Sequence, residues 1–140
     1  MNFNDAQITS LYVGEDGSVA GIQDDAPNSP AAKKFRVTLE IVAGGGVGGP
    51  YELLTTCSDV TASTAASSLN PGAPLNGPGA FGGPEWKVDT GVGPNDSVFS
   101  HTAVISPPKV PGHVYRYTAA LRSLNGQIVS IKQSDLFILL

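Results

Sequence analysis

The plainest pattern along this chain is Phe35-Arg36-Val37-Thr38-Leu39-Glu40-Ile41, where apolar and polar residues alternate at period two. Successive side chains of a strand point to opposite faces, so this spacing predicts a half-buried β-strand with Arg36, Thr38 and Glu40 toward water. An antiparallel sheet permits one wet face, whereas a parallel sheet covered on both sides does not. A second alternation, from Tyr115 to Arg122, sets Tyr115, Tyr117, Ala119 and Leu121 on one face and Arg116, Thr118 and Arg122 on the other.

This second strand runs through Ser123-Leu124-Asn125-Gly126-Gln127 into Ile128-Val129-Ser130-Ile131, so Asn125-Gly126 reads as a hairpin turn. Directly paired residues share a face, so the loop length decides which side chains lie together. A two-residue Asn-Gly loop sets Leu121 opposite Ser130 and Ala119 opposite Lys132, mixing the faces. A three-residue Leu124-Asn125-Gly126 loop sets Leu121 opposite Val129 and Ala119 opposite Ile131. The sequence therefore predicts the second arrangement, a type I turn with Gly126 left-handed as a G1 bulge.

Further strands are predicted over Gln7 to Val13, Tyr51 to Ser58, Trp86 to Asp89 and Val98 to Ile105. Alternation breaks at Lys132 to Asp135 and resumes over Leu136 to Leu139, which a bulge or a change of sheet near Gln133 explains. Ser58 to Ser68 could form a short helix or coil, with no large apolar stripe to bury. About seven short strands separated by turn-rich segments predict an all-β fold, an antiparallel β-sandwich.

Composition agrees. The 140 residues, 41% hydrophobic and 14% charged, suit a single folded domain over residues 1–140. Within it, residues 70–95 form a long loop in which Gly and Pro supply nearly half of the positions. Regular structure is not expected across most of it, yet Leu75, Phe81 and Trp86 predict that apolar anchors pin it in part.

The net charge of -4 argues against nucleic acid as a partner, because clustered Lys and Arg carry phosphate binding and here only Lys33, Lys34 and Arg36 group together. Cys57 is the one cysteine, which rules out an internal disulfide and reads as a small buried hydrophobe. The opening residues carry no signal-peptide pattern, and Leu136 to Leu140 is too short to cross a bilayer. These features lead to the expectation of no membrane insertion, and of a cytoplasmic protein or part of an assembled particle.

Candidate chemistry is sparse. Gly44-Gly45-Gly46-Val47-Gly48-Gly49 satisfies G-x-G-x-x-G, but Pro50 and Tyr51 open a strand, so the helix N-terminus that holds a pyrophosphate is missing. Asp16, Asp24 and Asp25 are weak candidate calcium ligands in loops, although turn chemistry accounts for Asp-Gly by itself. His101 and His113 lack a partner at metal-ligand spacing, and no nucleophile elbow accompanies His101 and the nearby Ser100 and Ser106. No catalytic residue and no cofactor is implied. Trp86, Phe81 and Tyr51 are candidate ligand-binding rings, able to stack on a glycan if exposed, although the favoured reading is that Trp86 fills the core or clamps its own loop.

The stretch Pro111-Gly112-His113-Val114-Tyr115-Arg116-Tyr117-Thr118-Ala119-Ala120-Leu121, with its Asn-Gly hairpin, resembles the F and G strands of fibronectin type III and other immunoglobulin-like domains. The resemblance implies a sandwich in which Tyr115 or Tyr117 is the tyrosine-corner residue. The chain departs from true immunoglobulin domains in having no cysteine two residues after either tyrosine. It also leaves function open, because such folds host many activities.

Three functions stay in play. The first is a non-enzymatic interaction or assembly module, such as a component of a virion, tail or surface appendage. It would meet a protein partner or its own copies through an apolar edge at Leu136, Phe137, Ile138 and Leu139. The second is a carbohydrate- or ligand-binding sandwich, and the third a hydrolase built on His101 and a serine.

Overall fold

The computed structural model describes residues 4–15, 34–89, 96–106, 112–124, 126 and 128–138; Asp16, Asp24, Asp25 and Leu139 lie outside them. Among the described residues ten strands follow one another. They are β1 (Ala6–Glu15), β2 (Phe35–Ala43), β3 (Pro50–Asp59), β4 (Thr64–Ala65), β5 (Gly77–Ala80), β6 (Trp86–Asp89), β7 (Asp96–Ile105), β8 (Val114–Ser123), β9 (Val129–Gln133) and β10 (Phe137–Ile138). A 3-10 turn at Ser67–Leu69 stands where a short helix or coil was expected.

Two antiparallel sheets pack face to face as an all-β sandwich. Sheet A has the order β1-β2-β7-β6. In sheet B, β8 lies beside β3; β9 and β10 share the free side of β8, and β4 and β5 share the free side of β3. The predicted alternations build the core. Phe35, Val37, Leu39, Ile41 and Ala43 of β2 point inward against Tyr115, Tyr117, Ala119 and Leu121 of β8, all buried. Each large apolar side chain so placed contributes about 1.5–3 kcal/mol over an exposed one.

The polar face of β2 is drier than predicted. Thr38 is buried, and its hydroxyl meets that of Thr102 on β7 at 2.9 Å. The reason is position: β2 is flanked by β1 and β7, and a threonine satisfied by a cross-strand threonine tolerates that crowding.

The hairpin register is the other correction. Leu121 faces Ser130, Ala119 faces Lys132, and Ala120 faces Ile131. Gly126 is left-handed as predicted, at φ 75°, and its N–H donates to the Ser123 carbonyl at 3.0 Å. The strands, however, close on Ser123 and Ile128. Ser123 N–H donates to the Ile128 carbonyl at 3.0 Å and Ile128 N–H to Ser123 Oγ at 2.9 Å, so the connection is residues 124–127. The inward side of β9 does not need apolar side chains: Ser130 meets the backbone of β1, with Ile8 N–H donating to Ser130 Oγ at 3.0 Å, and Lys132 is exposed.

The expected break after β9 is a bulge. Thr118 opposes Gln133 while Tyr115 opposes Phe137, so one extra residue is inserted between β9 and β10. Ser134 holds the join, its N–H donating to the Tyr117 carbonyl at 2.9 Å and its Oγ accepting from Tyr117 N–H at 3.0 Å. The bulge turns Phe137 into the core, where its ring stacks on Tyr117 at 5.6 Å and meets Phe35 at 5.7 Å.

The Gly/Pro-rich loop is anchored as predicted, with Leu75, Phe81 and Trp86 all buried. It also finishes the edge of β3. Between the stretches covered by β5 and β4, the amide of Asn76 accepts from Thr55 N–H at 2.9 Å and donates to the Thr55 carbonyl at 2.7 Å. Asn70 Oδ1 accepts from Cys57 N–H at 2.8 Å, and Thr55 Oγ1 donates to the Leu75 carbonyl at 2.8 Å. Side-chain amides thus take the place of a neighbouring strand, satisfying backbone groups that would otherwise be orphaned.

Candidate interaction surface

Because β3 and β8 alternate strictly, every second residue points away from the core, and the cross-strand register sets these residues in rows. One row is Leu54, Ala120 and Ile131; the next is Glu52, Arg122 and Val129, with Pro78 of β5 beyond Glu52. On the other side of the apolar row lie Thr56, Thr118 and Gln133. Leu54 is 58% exposed, and Val129 and Ile131 are each 65% exposed. Three large aliphatic side chains therefore share one wet sheet face. Arg122 Nη2 donates to Glu52 Oε2 at 2.6 Å on the same face, with both side chains more than half in solvent. Such a pair adds about 0–1 kcal/mol to stability and mainly marks the face with one charge of each sign.

The observed β8–β9 register, with Leu121 opposite Ser130, created this surface. Had Val129 paired with Leu121, it would have entered the core. The alternation of Val129, Ser130 and Ile131 and the doublet Leu53-Leu54 were visible, but which member of each faced water depended on the neighbouring strand.

The aromatic candidates come together, turned into the core. Tyr51, Phe81 and Trp86 are buried, with ring centroids 4.9 Å apart for Tyr51 and Phe81 and 5.5 Å apart for Phe81 and Trp86. Trp86 clamps its own loop, packing also on Phe99 at 5.6 Å. Burial holds the Tyr51 hydroxyl above its ordinary pKa. Gly79 lies directly opposite Tyr51, and a methyl group there would overlap the phenol ring.

At the proposed apolar edge, Phe137 is buried, whereas Leu136 and Ile138 are 48% and 40% exposed. The described part of this edge, Leu136 to Ile138, offers two exposed side chains flanking a buried ring, because the bulge assigns Phe137 to the core.

No family model and no curated protein matches the chain.

The histidines serve different neighbours. His101 Nε2 lies 3.2 Å from the Glu85 backbone carbonyl, beside a shallow hollow lined by Pro84, Lys87, Val98 and Ser100. His113 Nδ1 lies 2.7 Å from Asp59 Oδ2. Asp59 Oδ1 also accepts from Ala62 N–H at 3.0 Å, and the bond from His113 is the main reason its carboxyl sits below the ordinary range. This pair ties the β3–β4 turn to the start of β8. Among the described residues no three His, Cys, Asp or Glu side chains gather as metal ligands. The G-x-G-x-x-G segment leads into β3, not into a helix. No helix among the described residues is long and apolar enough to cross a membrane.

Cys57 is buried beside Tyr117, and burial pushes its thiol up to about 12. Tyr117, raised for the same reason, donates its hydroxyl to the Leu69 carbonyl at 2.6 Å. Both groups are protonated parts of the core.

Proposed function

We propose that this chain is a non-enzymatic protein-interaction or assembly domain that docks through the outer face of sheet B. The observation that carries this reading is that Leu54, Val129 and Ile131, each more than half exposed, lie on one outer sheet face, with Ala120 joining Leu54 to Ile131 across β8. Burying such side chains against a partner is worth about 1.5–3 kcal/mol apiece, and contiguous apolar surface on a folded domain marks interaction sites. The docking element is thus a sheet face, with Leu136 and Ile138 at its margin, rather than the C-terminal edge alone.

Two features support an immunoglobulin-like reading of the sandwich. The order β1-β2-β7-β6 facing β3, β8 and β9 follows the ABED and CFG arrangement. Tyr117, on the strand corresponding to F, sends its hydroxyl to a backbone carbonyl, although one that is 48 residues upstream rather than a few.

Proximity labelling in the producing cell, with the wild-type chain and an Ile131→Lys variant as baits, tests the reading. Neighbours labelled by the wild type and lost from the variant support it. An identical set from both baits overturns this face as the docking surface.

A further inference from the structure

We infer that the occupant of this face is a second copy of the chain, packed sheet against sheet about a two-fold axis. The inference rests on the interaction reading above and names its partner. The argument is self-complementarity. A two-fold axis along the strands between β3 and β8 exchanges those two strands between copies, so each outward residue of β3 meets its cross-strand neighbour on the other copy's β8. Glu52 then faces the other copy's Arg122, and Arg122 the other copy's Glu52. One row along, the large Leu54 lands over the other copy's small Ala120, and the reverse. Large side chains set over small ones let two sheets interdigitate at about 10 Å.

The charges favour this occupant over an unrelated protein. The row next to the apolar residues carries one acid and one base side by side, so under the exchange each charge meets its opposite and no like charges are juxtaposed. The area is sufficient too. Sheet B is four strand positions wide, and its central strands are ten residues long. At about 4.8 Å per strand and about 3.4 Å per residue, with the outer positions filled only in part by β4 and β5 and by β9 and β10, this is a face of roughly 550 Å², or about 1,100 Å² over both copies, at the lower end of specific interfaces.

Sedimentation equilibrium and light scattering of the purified chain from about 1 μM to about 1 mM test the inference. The expected mass is twice 14.4 kDa, reached reversibly with concentration. Ile131→Lys is expected to raise the dimer dissociation constant at least about tenfold, with an unchanged far-ultraviolet spectrum because the position is exposed. Arg122→Glu and Glu52→Arg test the axis. Each alone sets like charges across the interface and should shift the chain toward monomer, while a 1:1 mixture of the two variants should recover the dimer. Neither variant can repair its own Glu52–Arg122 pair by mixing, so recovery reports contact between copies. A mixture that stays monomeric overturns the two-fold placement, and a dimer indifferent to Ile131→Lys overturns the face. A monomer across the whole range overturns self-association; labelled neighbours lost in Ile131→Lys would then still uphold the interaction reading with a different partner.

Discussion

Trp86 on sheet A donates its indole N–H to the hydroxyl of Tyr51 on sheet B at 3.2 Å. This bond fastens one open margin of the sandwich, as Ile8 and Ser130 fasten the opposite one. Tyr51→Phe keeps the ring and leaves the buried indole N–H without its acceptor. The expected loss is about 1–3 kcal/mol, read from the urea midpoint. Trp86 is the sole tryptophan, so its emission reports the same margin, and an unchanged midpoint would show that the bond contributes nothing to stability.

Asn76 answers both backbone groups of Thr55 with one amide and also donates to the Pro71 carbonyl at 2.6 Å. Asn76→Asp keeps an acceptor and removes the donor, placing carboxylate oxygen against two carbonyls. It should destabilise more than Asn76→Ala, itself expected to lose about 1–3 kcal/mol. Thermal melts of the two variants at neutral pH check the order.

The Cys57 thiol, with its pKa near 12 and almost no solvent contact, should be inert in the folded chain. Labelling by a thiol-specific disulfide reagent at pH 8 should follow opening of the domain, and become immediate in denaturant. Rapid labelling under native conditions would contradict the buried placement.

Asp59 has a folded-state pKa below its ordinary 3.8, chiefly through the bond from His113. A lowered carboxyl pKa adds stability that is fully present above the unfolded value and disappears as pH falls through the folded value. Asp59→Asn removes that contribution while leaving an acceptor for Ala62 N–H. The wild type should therefore exceed the variant in stability at pH 6, and the gap should close as the pH drops below about 4. A gap that stays constant with pH would exclude the Asp59 carboxylate as its source.

What the sequence determined by itself is the long strands and the inward faces of the central ones; it missed the short β4 and β5, whose Thr-Ala and Gly-Pro-Gly-Ala carry no apolar alternation and pair only because the edge of β3 lies beside them. Phe35 to Ile41 and Tyr115 to Leu121 are flanked by strands on both sides, so their period-two spacing translates directly into burial. The pinning of the long loop by Leu75, Phe81 and Trp86 was legible for the same reason: large apolar groups in a Gly/Pro background have little else to do. Tertiary structure decided the margins. Whether Ser130 or Val129 turned inward depended on the backbone of β1, which lies more than a hundred residues away in sequence and wanted a hydrogen-bond acceptor. Likewise the asparagines that finish β3 act through contacts that spacing does not encode. An edge strand has one neighbour instead of two, so its facing is set by what packs across the gap, and the surface made of Leu54, Val129 and Ile131 emerged from that choice.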